Sequence, residues 1–412
     1  MDIIQLGLIY VGILGFYVCV LVLGETPMFR NTPIGWAHWA LTEGLGYLFS
    51  SCMRCVAGER GVAACRRLGI VICERPNPAL QYFYLGVVAA GYYVFCTEAY
   101  PHLPGPLIGA WHRLAAPVVV LAGFALFFAT SLMDPGTIDD STVEANHACY
   151  PPDGVIYPAG RGTCPTCRYR GDRPARSKHC DVCDRCVSRL DHHCGWMNNC
   201  IGERNIRYFL GFLIYHALLC SYATWICITI LRGVVLESGL RTARLRGRDG
   251  EMMSGANFKL TIEYLLVFNG NLLMLTVFCS LVAVLLYVFF GYHMFLVYSG
   301  TTTNESVKWG KVQLEVEATA RAKEKARLAS GGAASDAMRA VVRKGSFWSR
   351  FVRRAGAEPI EYPSNAYDNG FFVNLYDVLF PPTARYNRKQ ATAAAKTAAS
   401  SAGKRARAKK TR

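Results

Sequence analysis

Acidic residues are scarce in this sequence of 412 residues, because 29 aspartates and glutamates face 45 lysines and arginines and the formal charge is +16. Charged residues of either sign make up only 18% of the chain, whereas 52% of it is hydrophobic. A soluble protein of this size rarely combines these features. The combination predicts apolar membrane spans joined by basic loops. It favours the anionic membrane surface over nucleic acid as the electrostatic partner.

The N-terminus lacks the basic residues that begin a secretory signal peptide. Asp2 is the only early charge, and the apolar run that follows reaches about residue 24, which is longer than the apolar core of such a peptide. We therefore expect a retained membrane helix at this end. The sequence also lacks an internal repeat of the period that is typical of solenoid proteins.

Five segments are apolar over the roughly 20 residues that a helix needs to cross a bilayer. They are residues 3–24, 80–100, 113–133, 207–231 and 271–297. The last segment is the least well defined, because residues 265–298 are almost continuously apolar. This stretch is compatible with one long tilted helix or with a helix and a re-entrant piece.

Basic residues predict the orientation of these spans. Lysines and arginines are abundant in residues 25–79, in residues 134–206 and in the tail after the last span, and the positive-inside rule places such regions in the cytosol. Five spans then put the N-terminus on the lumenal side. The loop 232–259 opposes this arrangement, because it would be lumenal although it is basic. Its cations are Arg232, Arg241, Arg244, Arg246, Arg248 and Lys259.

The chain beyond the last span divides by composition. Residues 301–388 are predicted to form a cytosolic tail, whereas residues 389–412 are rich in lysine, alanine and arginine and are expected to be disordered. Lys409 and Lys410 resemble a dilysine retrieval signal of the endoplasmic reticulum. Binding of the basic tail to anionic lipid is the alternative interpretation.

Cysteine is concentrated in the polar segment 134–206, between the third and fourth predicted spans. A disulfide framework is one alternative, but histidines at interleaved positions indicate metal binding in a reducing compartment. Zinc takes four sulfur or nitrogen ligands, and a Cys-x2-Cys turn presents two of them. So small a domain also needs metal for stability. The candidate ligands, enough for two zinc ions, are Cys164, Cys167, His179, Cys180, Cys183, Cys186, His193 and Cys200.

One cysteine of this segment, Cys194, is left over. A thiol is nucleophilic only as the thiolate, and its unperturbed pKa is about 8.5. The imidazole of His192 can take the proton, and the carboxylate of Asp191 can orient that imidazole and stabilise its charged form. The Asp-His-His-Cys run could instead supply four more ligands. The ligand count opposes this, because both sites are filled with His193 included and Cys194 excluded.

The run from Cys164 to Asn205 resembles the cysteine-rich domain of the DHHC protein S-palmitoyltransferases. The layout of five spans, with an extra N-terminal helix, is similar to a plant and endoplasmic-reticulum subgroup of that family. Further matching motifs are Asp134-Pro135-Gly136 after the third span, Thr302-Thr303-Asn304-Glu305 after the last span, and an aromatic motif from Asn365 to Asn374 in the tail.

The resemblance implies transfer of palmitate from palmitoyl-CoA to protein cysteines through an acyl-enzyme thioester on Cys194, with ping-pong kinetics. It makes His192 the base and Asp191 its orienting partner. It also implies how the metal ligands are divided. One zinc ion would bind Cys164, Cys167, His179 and Cys186, and the other would bind Cys180, Cys183, His193 and Cys200.

Contacts with the acyl donor are implied as well. Arg173 and Arg176 match the family's basic-Pro-x-Arg element and would contact acyl-CoA phosphates. Thr303 would hydrogen-bond the aspartate of the Asp-His-His-Cys run, and Asn374 would anchor the tail against the core. Trp196 is expected either to contact the acyl chain or to be an ordinary core aromatic.

Together these features predict an all-α polytopic membrane protein with a small cytosolic domain that binds two zinc ions. Its expected partners are acyl-CoA, the bilayer and membrane-associated proteins with cytosolic cysteines, and not nucleic acid. The endoplasmic reticulum is the expected location, with the Golgi or another endomembrane as the alternative. Two other functions compete. One is a membrane-tethered zinc module, which leaves Cys194 unexplained, and the other is a relative that acylates itself without transferring the acyl group.

Overall fold

A computed structural model describes residues 32–69, 77–246, 252–254, 258–329 and 362–390, besides a few isolated positions. Helix α1 (Pro33–Trp39) continues through a π-helical turn (Ala40–Gly44) into α2 (Leu45–Gly69). Helix α2 is kinked at Gly58, where φ is 61°, in the left-handed region that favours glycine. The first predicted span, residues 3–24, lies outside the described residues apart from one position.

Helices dominate the rest of the described chain. They are α3 (Ala79–Val94), α4 (His112–Leu132), α5 (Val143–Cys149), α6 (Ile206–Glu237), α7 (Phe258–Phe268), α8 (Gly270–Tyr298), α9 (Thr303–Ala329) and α10 (Phe371–Leu379). Four of the described helices, α3, α4, α6 and α8, are long and apolar enough to cross a membrane. Helix α3 reaches the necessary length because π-helical and 3-10 turns extend it to His102.

These four helices coincide with the last four predicted spans. Helix α6 runs beyond its predicted end at residue 231 to Glu237. The sequence of residues 265–298 was compatible with one long helix or with a helix and a re-entrant piece, and the structure shows two separate helices. Asn269 has a φ of −139° and a ψ of 34°, outside the helical range, so the chain breaks there and α7 and α8 are separate helices.

Helix α6 lies at the centre of the bundle and packs along α8 on one side and α4 on the other. Fully or nearly buried side chains fill the interface, among them Ile226 and Ile230 of α6 with Leu272 of α8. Helix α3 has little of its surface covered by the other described helices. Lipid, rather than protein, is therefore available to most of its apolar side chains.

The segment between α4 and α6 contains two antiparallel hairpins. Strand β1 (Lys178–Cys180) pairs with β2 (Arg185–Val187), and β3 (His192–Cys194) pairs with β4 (Asn199–Ile201). A third hairpin, β5 (Arg244–Arg246) with β6 (Met252–Ser254), follows α6. Strands of three residues do not form a stable sheet alone, so other interactions must hold the first two hairpins.

Asparagine side chains attach this segment to α4. The Nδ2 of Asn199 donates hydrogen bonds of 2.9 Å to the carbonyls of Ser131 and Met133 at the end of that helix. The last carbonyls of a helix have no partner within it, so these bonds satisfy groups that would otherwise be buried unpaired. The second hairpin is therefore held directly against the end of a span.

The tail folds back onto the same region. Glu203, which is 1% exposed, accepts hydrogen bonds from the hydroxyls of Ser188 and Thr383, each at 2.8 Å. Helix α10 packs on the ends of α6 and α8, and Arg207 of α6 donates to the carbonyl of Leu379 at 2.9 Å. The described part of the tail thus closes over the junction of the hairpins and the spans.

Candidate active site and metal centres

Two groups of cysteine and histidine side chains lie between α4 and α6, with the ligand atoms of each group within 4.8 Å of one another. The first group is Cys164, Cys167, His179 and Cys186. The second group is Cys180, Cys183, His193 and Cys200. These are the two sets that the family resemblance implies.

The distances within each group fit a zinc ion. Zn–S and Zn–N bonds of about 2.3 and 2.0 Å at tetrahedral angles put each sulfur about 3.5 Å from the imidazole nitrogen. The Nδ1 of His179 lies 3.3, 3.7 and 3.9 Å from the sulfurs of Cys167, Cys164 and Cys186. The Nδ1 of His193 lies 3.3, 3.8 and 3.8 Å from those of Cys183, Cys180 and Cys200. Three thiols and one imidazole, with no open position, are the ligands of structural zinc.

The hairpin register explains how so short a segment forms two groups. His179 is paired with Cys186 across the first hairpin, and His193 is paired with Cys200 across the second. Directly opposed residues share one side of a hairpin, so each hairpin presents an imidazole next to a thiol. Neighbouring residues of a strand face opposite sides, so His179 and Cys180 belong to different groups.

Backbone conformation supports the same arrangement. The turns Cys164-x2-Cys167 and Cys180-x2-Cys183 are each followed by a residue with positive φ, Arg168 at 51° and Asp184 at 48°. A side chain in this region costs about 1–2 kcal/mol. Metal binding would offset that cost, because its free energy contributes directly to folding.

The side chains of β3 point alternately to its two sides, and this also explains why Cys194 is not a metal ligand. His193 faces the second metal group, so His192 and Cys194 on either side of it face away. Neither group of described ligands contains Cys194. Within three consecutive residues of the strand, His193 therefore faces the metal group, and His192 and Cys194 face the opposite side.

Hydrogen bonds link Asp191, His192 and Thr303. The Nδ1 of His192 donates to Oδ2 of Asp191 at 2.7 Å. The backbone N–H and the hydroxyl of Thr303 donate to Oδ1 and Oδ2 of Asp191, each at 2.8 Å. Thr303 begins α9, so the carboxylate also satisfies an unpaired N–H at the positive end of a helix. Since Asp191 occupies Nδ1 of His192, Nε2 is left to interact with the thiol of Cys194.

These contacts favour charge separation between His192 and Cys194. Burial raises the pKa of the Cys194 thiol, but the interaction with His192 and the backbone N–H groups of Met197 and Trp196 together outweigh burial, and the pKa lies below its usual value. Burial lowers the pKa of His192, whereas hydrogen bonds to Asp191 and Cys194 raise it to about 9. Burial likewise raises the pKa of Asp191, and the hydrogen bond and charge of His192, with smaller contributions from His293 and the backbone of Thr303, together hold it below its ordinary value. Both shifts favour the thiolate and the imidazolium relative to isolated side chains.

Apolar side chains from three spans surround the thiol. Cys194 is 8% exposed and packs with Phe127 of α4 and with Phe209 and Phe212 of α6. Tyr84 of α3 lies against the same cluster. The thiol thus lies where the polar hairpins meet the apolar helices.

Arg176 does not have the surroundings that the family resemblance suggested. It is 4% exposed, and its Nε donates to Oε1 of Glu305, itself 1% exposed, at 2.7 Å. A second nitrogen donates to the carbonyl of Gly300 at 2.8 Å. A guanidinium that is buried and paired in this way cannot receive a phosphate from solvent, so the prediction that Arg176 contacts acyl-CoA phosphates is wrong. Arg176 instead joins the cysteine-rich segment to the start of α9.

The other predicted contact residues belong to different parts of the fold. Arg173 is half-buried. Trp196 is 47% exposed, with its ring 6.1 Å from that of Phe83 on α3, so it is not an enclosed core residue. Asn374 is 3% exposed and donates to the carbonyl of Tyr298 at 3.4 Å, which joins α10 to the end of α8.

A cluster of cations that sequence reasoning missed lies close to Arg173. Burial and the charges of Arg161 and Lys178 lower the pKa of Lys308, on the first turns of α9, to about 8. Burial and the charge of Arg173 in turn lower the pKa of Arg161. The sequence signal was available, because Lys308 follows the Thr-Thr-Asn-Glu motif by one helical turn.

Two buried carboxylates were also missed as organising residues. Glu305 accepts hydrogen bonds from Arg176, from the hydroxyl of Tyr157 at 3.1 Å and from the backbone of Thr302 at 3.0 Å. Glu203 joins the tail to the hairpins in a similar way. Glu305 belongs to the Thr-Thr-Asn-Glu motif, and that motif was the signal that could have identified it.

The fold and the site define a class of protein, an integral membrane protein with two Cys/His groups that fit zinc ions and with a cysteine beside a histidine at the ends of its spans. A family model described as DHHC palmitoyltransferase matches residues 159–310. Palmitoyltransferase SWF1 of Neurospora crassa is 27% identical, over 89% of this chain and 90% of its own length. Palmitoyltransferase swf1 of Schizosaccharomyces pombe is 28% identical, over 92% and 98%. Palmitoyltransferase ZDHHC4 of Bos taurus is 32% identical, over 68% and 71%.

This degree of similarity shows that the chain is a member of the family that the matching model describes. The chain belongs to the DHHC palmitoyltransferases, and it is a polytopic membrane protein that catalyses protein S-palmitoylation.

Proposed function

We propose that Cys194 is the nucleophile that carries the palmitoyl group, with His192 as its base and Asp191 as the residue that orients the base. The observation that carries the proposal is that His192, hydrogen-bonded to Asp191, interacts electrostatically with Cys194 on the side of β3 that faces away from the metal ligands. The donor would be palmitoyl-CoA, and the acceptors would be cytosolic cysteines of membrane-associated proteins.

The reaction has two balanced steps. In the first, His192 holds the proton of Cys194, the thiolate attacks the thioester carbonyl, the bond from the acyl carbon to the CoA sulfur breaks, and His192 returns the proton to that sulfur. In the second, His192 takes the proton of a substrate thiol, whose sulfur attacks the acyl carbon. Cys194 then leaves and regains the proton from His192. Release of CoA before the second thiol reacts gives ping-pong kinetics.

The surroundings of Cys194 suit an amphipathic donor. The acyl chain would lie among the apolar side chains next to the thiol, including Phe127 and Phe212, where burial contributes about 0.8 kcal/mol per methylene. Trp196, exposed beside α3, would contact the same chain. A chain of this kind cannot be buried equally well in the polar hairpins, so its placement would direct the thioester carbonyl to the thiol.

The phosphates of CoA need cations at the surface of the cysteine-rich segment. With Arg176 committed to Glu305, we assign this role to Arg173 together with Arg161, Lys178 and Lys308. Mutual repulsion among these cations is relieved when phosphate binds. Replacing Lys308 with glutamine should therefore raise the half-saturating palmitoyl-CoA concentration and leave the maximal loading rate unchanged.

The two zinc ions would be structural. Bound to the groups described above, each would complete a site without an open coordination position, so neither is available to polarise the thioester. Their proposed contribution is to fix both hairpins, and thereby the direction in which His192 and Cys194 face.

The proposed orientation places the cysteine-rich segment and the tail in the cytosol, in a membrane of the endoplasmic reticulum. The abundance of lysine and arginine in these regions supports the orientation. Lys409 and Lys410, which lie outside the described residues, support the organelle. Replacing both with serine should shift the protein to later endomembranes, and unchanged localisation would contradict the retrieval signal.

The test of the proposed function uses the purified full chain and palmitoyl-CoA with a labelled acyl group. Hydroxylamine-sensitive label should appear on the wild type, should be lost in Cys194→Ser, and should pass to a cysteine peptide in a chase. Cys149→Ser is the matched control, because burial raises the pKa of that thiol to about 11 and keeps it protonated. Label that persists in Cys194→Ser would contradict the nucleophile, and label that cannot be chased would indicate autoacylation without transfer.

A further inference from the structure

His293 is a buried imidazole to which the proposed reaction assigns no role. It belongs to the span α8 and is 2% exposed. Its Nε2 has no hydrogen-bond partner among the described residues. An unpaired polar atom inside a span is costly, so such residues are candidates for a function.

Aromatic packing brings His293 next to the proposed base. The ring centroids of His293 and His192 are 6.2 Å apart. Phe209 packs edge-on against both imidazoles, with centroid distances of 5.2 Å to His293 and 5.4 Å to His192. Phe289 also packs edge-on against His293, with a centroid distance of 4.7 Å. The two imidazoles therefore share one rigid aromatic frame.

A small cavity of about 20 Å³ lies between His293 and Asp191, both of which line it. Arg189, Thr301 and Thr302 also line this cavity, so its wall is partly polar. A space of this size holds one water molecule, provided that polar partners are present. A carboxylate can accept about four hydrogen bonds. His192 and the two donors of Thr303 leave Asp191 with an acceptor position unused among the described residues.

We propose that His293 is a positioning residue for the Asp191–His192 pair and acts through a water molecule held in this cavity. The water donates one hydrogen bond to Asp191 and the other to Nε2 of His293, and no proton is transferred. This link holds the carboxylate in the orientation that directs His192 at the thiol. The inference rests on the proposed function, because it requires His192 to be the base for Cys194.

The test measures single-turnover acyl loading of the full chain from labelled palmitoyl-CoA. His293→Phe keeps the ring and its packing but removes the nitrogens, whereas His293→Gln retains polar atoms at the end of the side chain. We expect His293→Phe to lower the maximal loading rate about tenfold, the effect of losing one hydrogen bond to a charged group. The half-saturating palmitoyl-CoA concentration should not change. His293→Gln should recover most of the rate.

His112→Phe is the matched control, because His112 is another buried imidazole of a span, 2% exposed, and its partner is Tyr222 rather than the active site. It should load at the wild-type rate. Wild-type loading by His293→Phe, or equal loss in His293→Phe and His293→Gln, would overturn the inference. If His293→Phe does not fold, His293→Leu replaces it under the same criteria. Cys194→Ser is measured in parallel to distinguish failure of the His293 inference from failure of the proposed function. Label on Cys194→Ser would refute the proposed function itself.

Discussion

Removing the charge of Arg176 should destabilise the cysteine-rich segment far more than removing a surface charge would. Arg176 and Glu305 are 4% and 1% exposed, so each charge is almost fully withdrawn from water and depends on the other. The pair joins the segment before β1 to the first turn of α9, which are distant in sequence. Arg176→Met keeps most of the side-chain volume and leaves the Glu305 carboxylate without its counter-charge.

The expected loss is about 3–5 kcal/mol, the range for removing one partner of a buried pair. The double variant Arg176→Met with Glu305→Met should recover most of that loss, because no isolated charge remains. Recovery should be incomplete, since Tyr157 and the backbone of Thr302 lose an acceptor at 3.1 and 3.0 Å. Each such loss costs about 1 kcal/mol.

Zinc release into a chromogenic chelator during a guanidinium titration would report the free energy of unfolding of the segment. Arg321→Met is the matched control, because Arg321 pairs with Glu317 at 3.2 Å on the exposed surface of the same helix. That change should cost at most about 0.5 kcal/mol. The reasoning fails if Arg176→Met unfolds at the same denaturant concentration as Arg321→Met, or if the two single losses add in the double variant.

Three further predictions concern the reaction and the metal. Thr303→Val removes the 2.8 Å hydroxyl bond to Asp191 and should slow acyl loading about tenfold, whereas Thr303→Ser should restore it; equal rates for both variants would contradict this role. Cys183→Ser should lower the zinc content from about two to about one per chain, and an unchanged content would contradict the ligand set. His192→Ala should slow acyl loading about 10²–10⁴-fold at neutral pH, with both zinc ions retained. The loading rate of this variant should increase as the pH is raised toward about 8.5, the ordinary pKa of a thiol, because Cys194 must then ionise unaided. Loss of metal would identify His192 as a ligand.

The sequence predicted the features that depend on local spacing. Four apolar runs appear as helices long enough to span a membrane, because a helix of about 20 residues satisfies its own backbone in lipid wherever it lies in the fold. The two sets of metal ligands lie together for a similar reason. Cys-x2-Cys turns and hairpin pairs bring side chains together over a few residues, and β3 and β4 contribute His193 and Cys200 in register.

Features that depend on distant contacts were not predictable in the same way. The sequence shows that Arg176 is basic and follows a proline, which suits a phosphate contact as well as a buried ion pair. Only the return of the chain after α8, which brings Glu305 against it, decides between these roles. The cation cluster around Lys308 and the cavity beside His293 arise from the same long-range packing.

The start of α9 connects stability to chemistry. Within one turn, Thr302 donates to the carbonyl of Leu190 at 3.1 Å, Thr303 donates to Asp191, and Glu305 binds Arg176. The carboxylate that orients His192 is therefore held by the same turn that the buried ion pair holds in place. A weakened ion pair should release this turn before the segment unfolds. Arg176→Met should consequently slow acyl loading under conditions in which both zinc ions are still bound, whereas Arg321→Met should leave the rate unchanged.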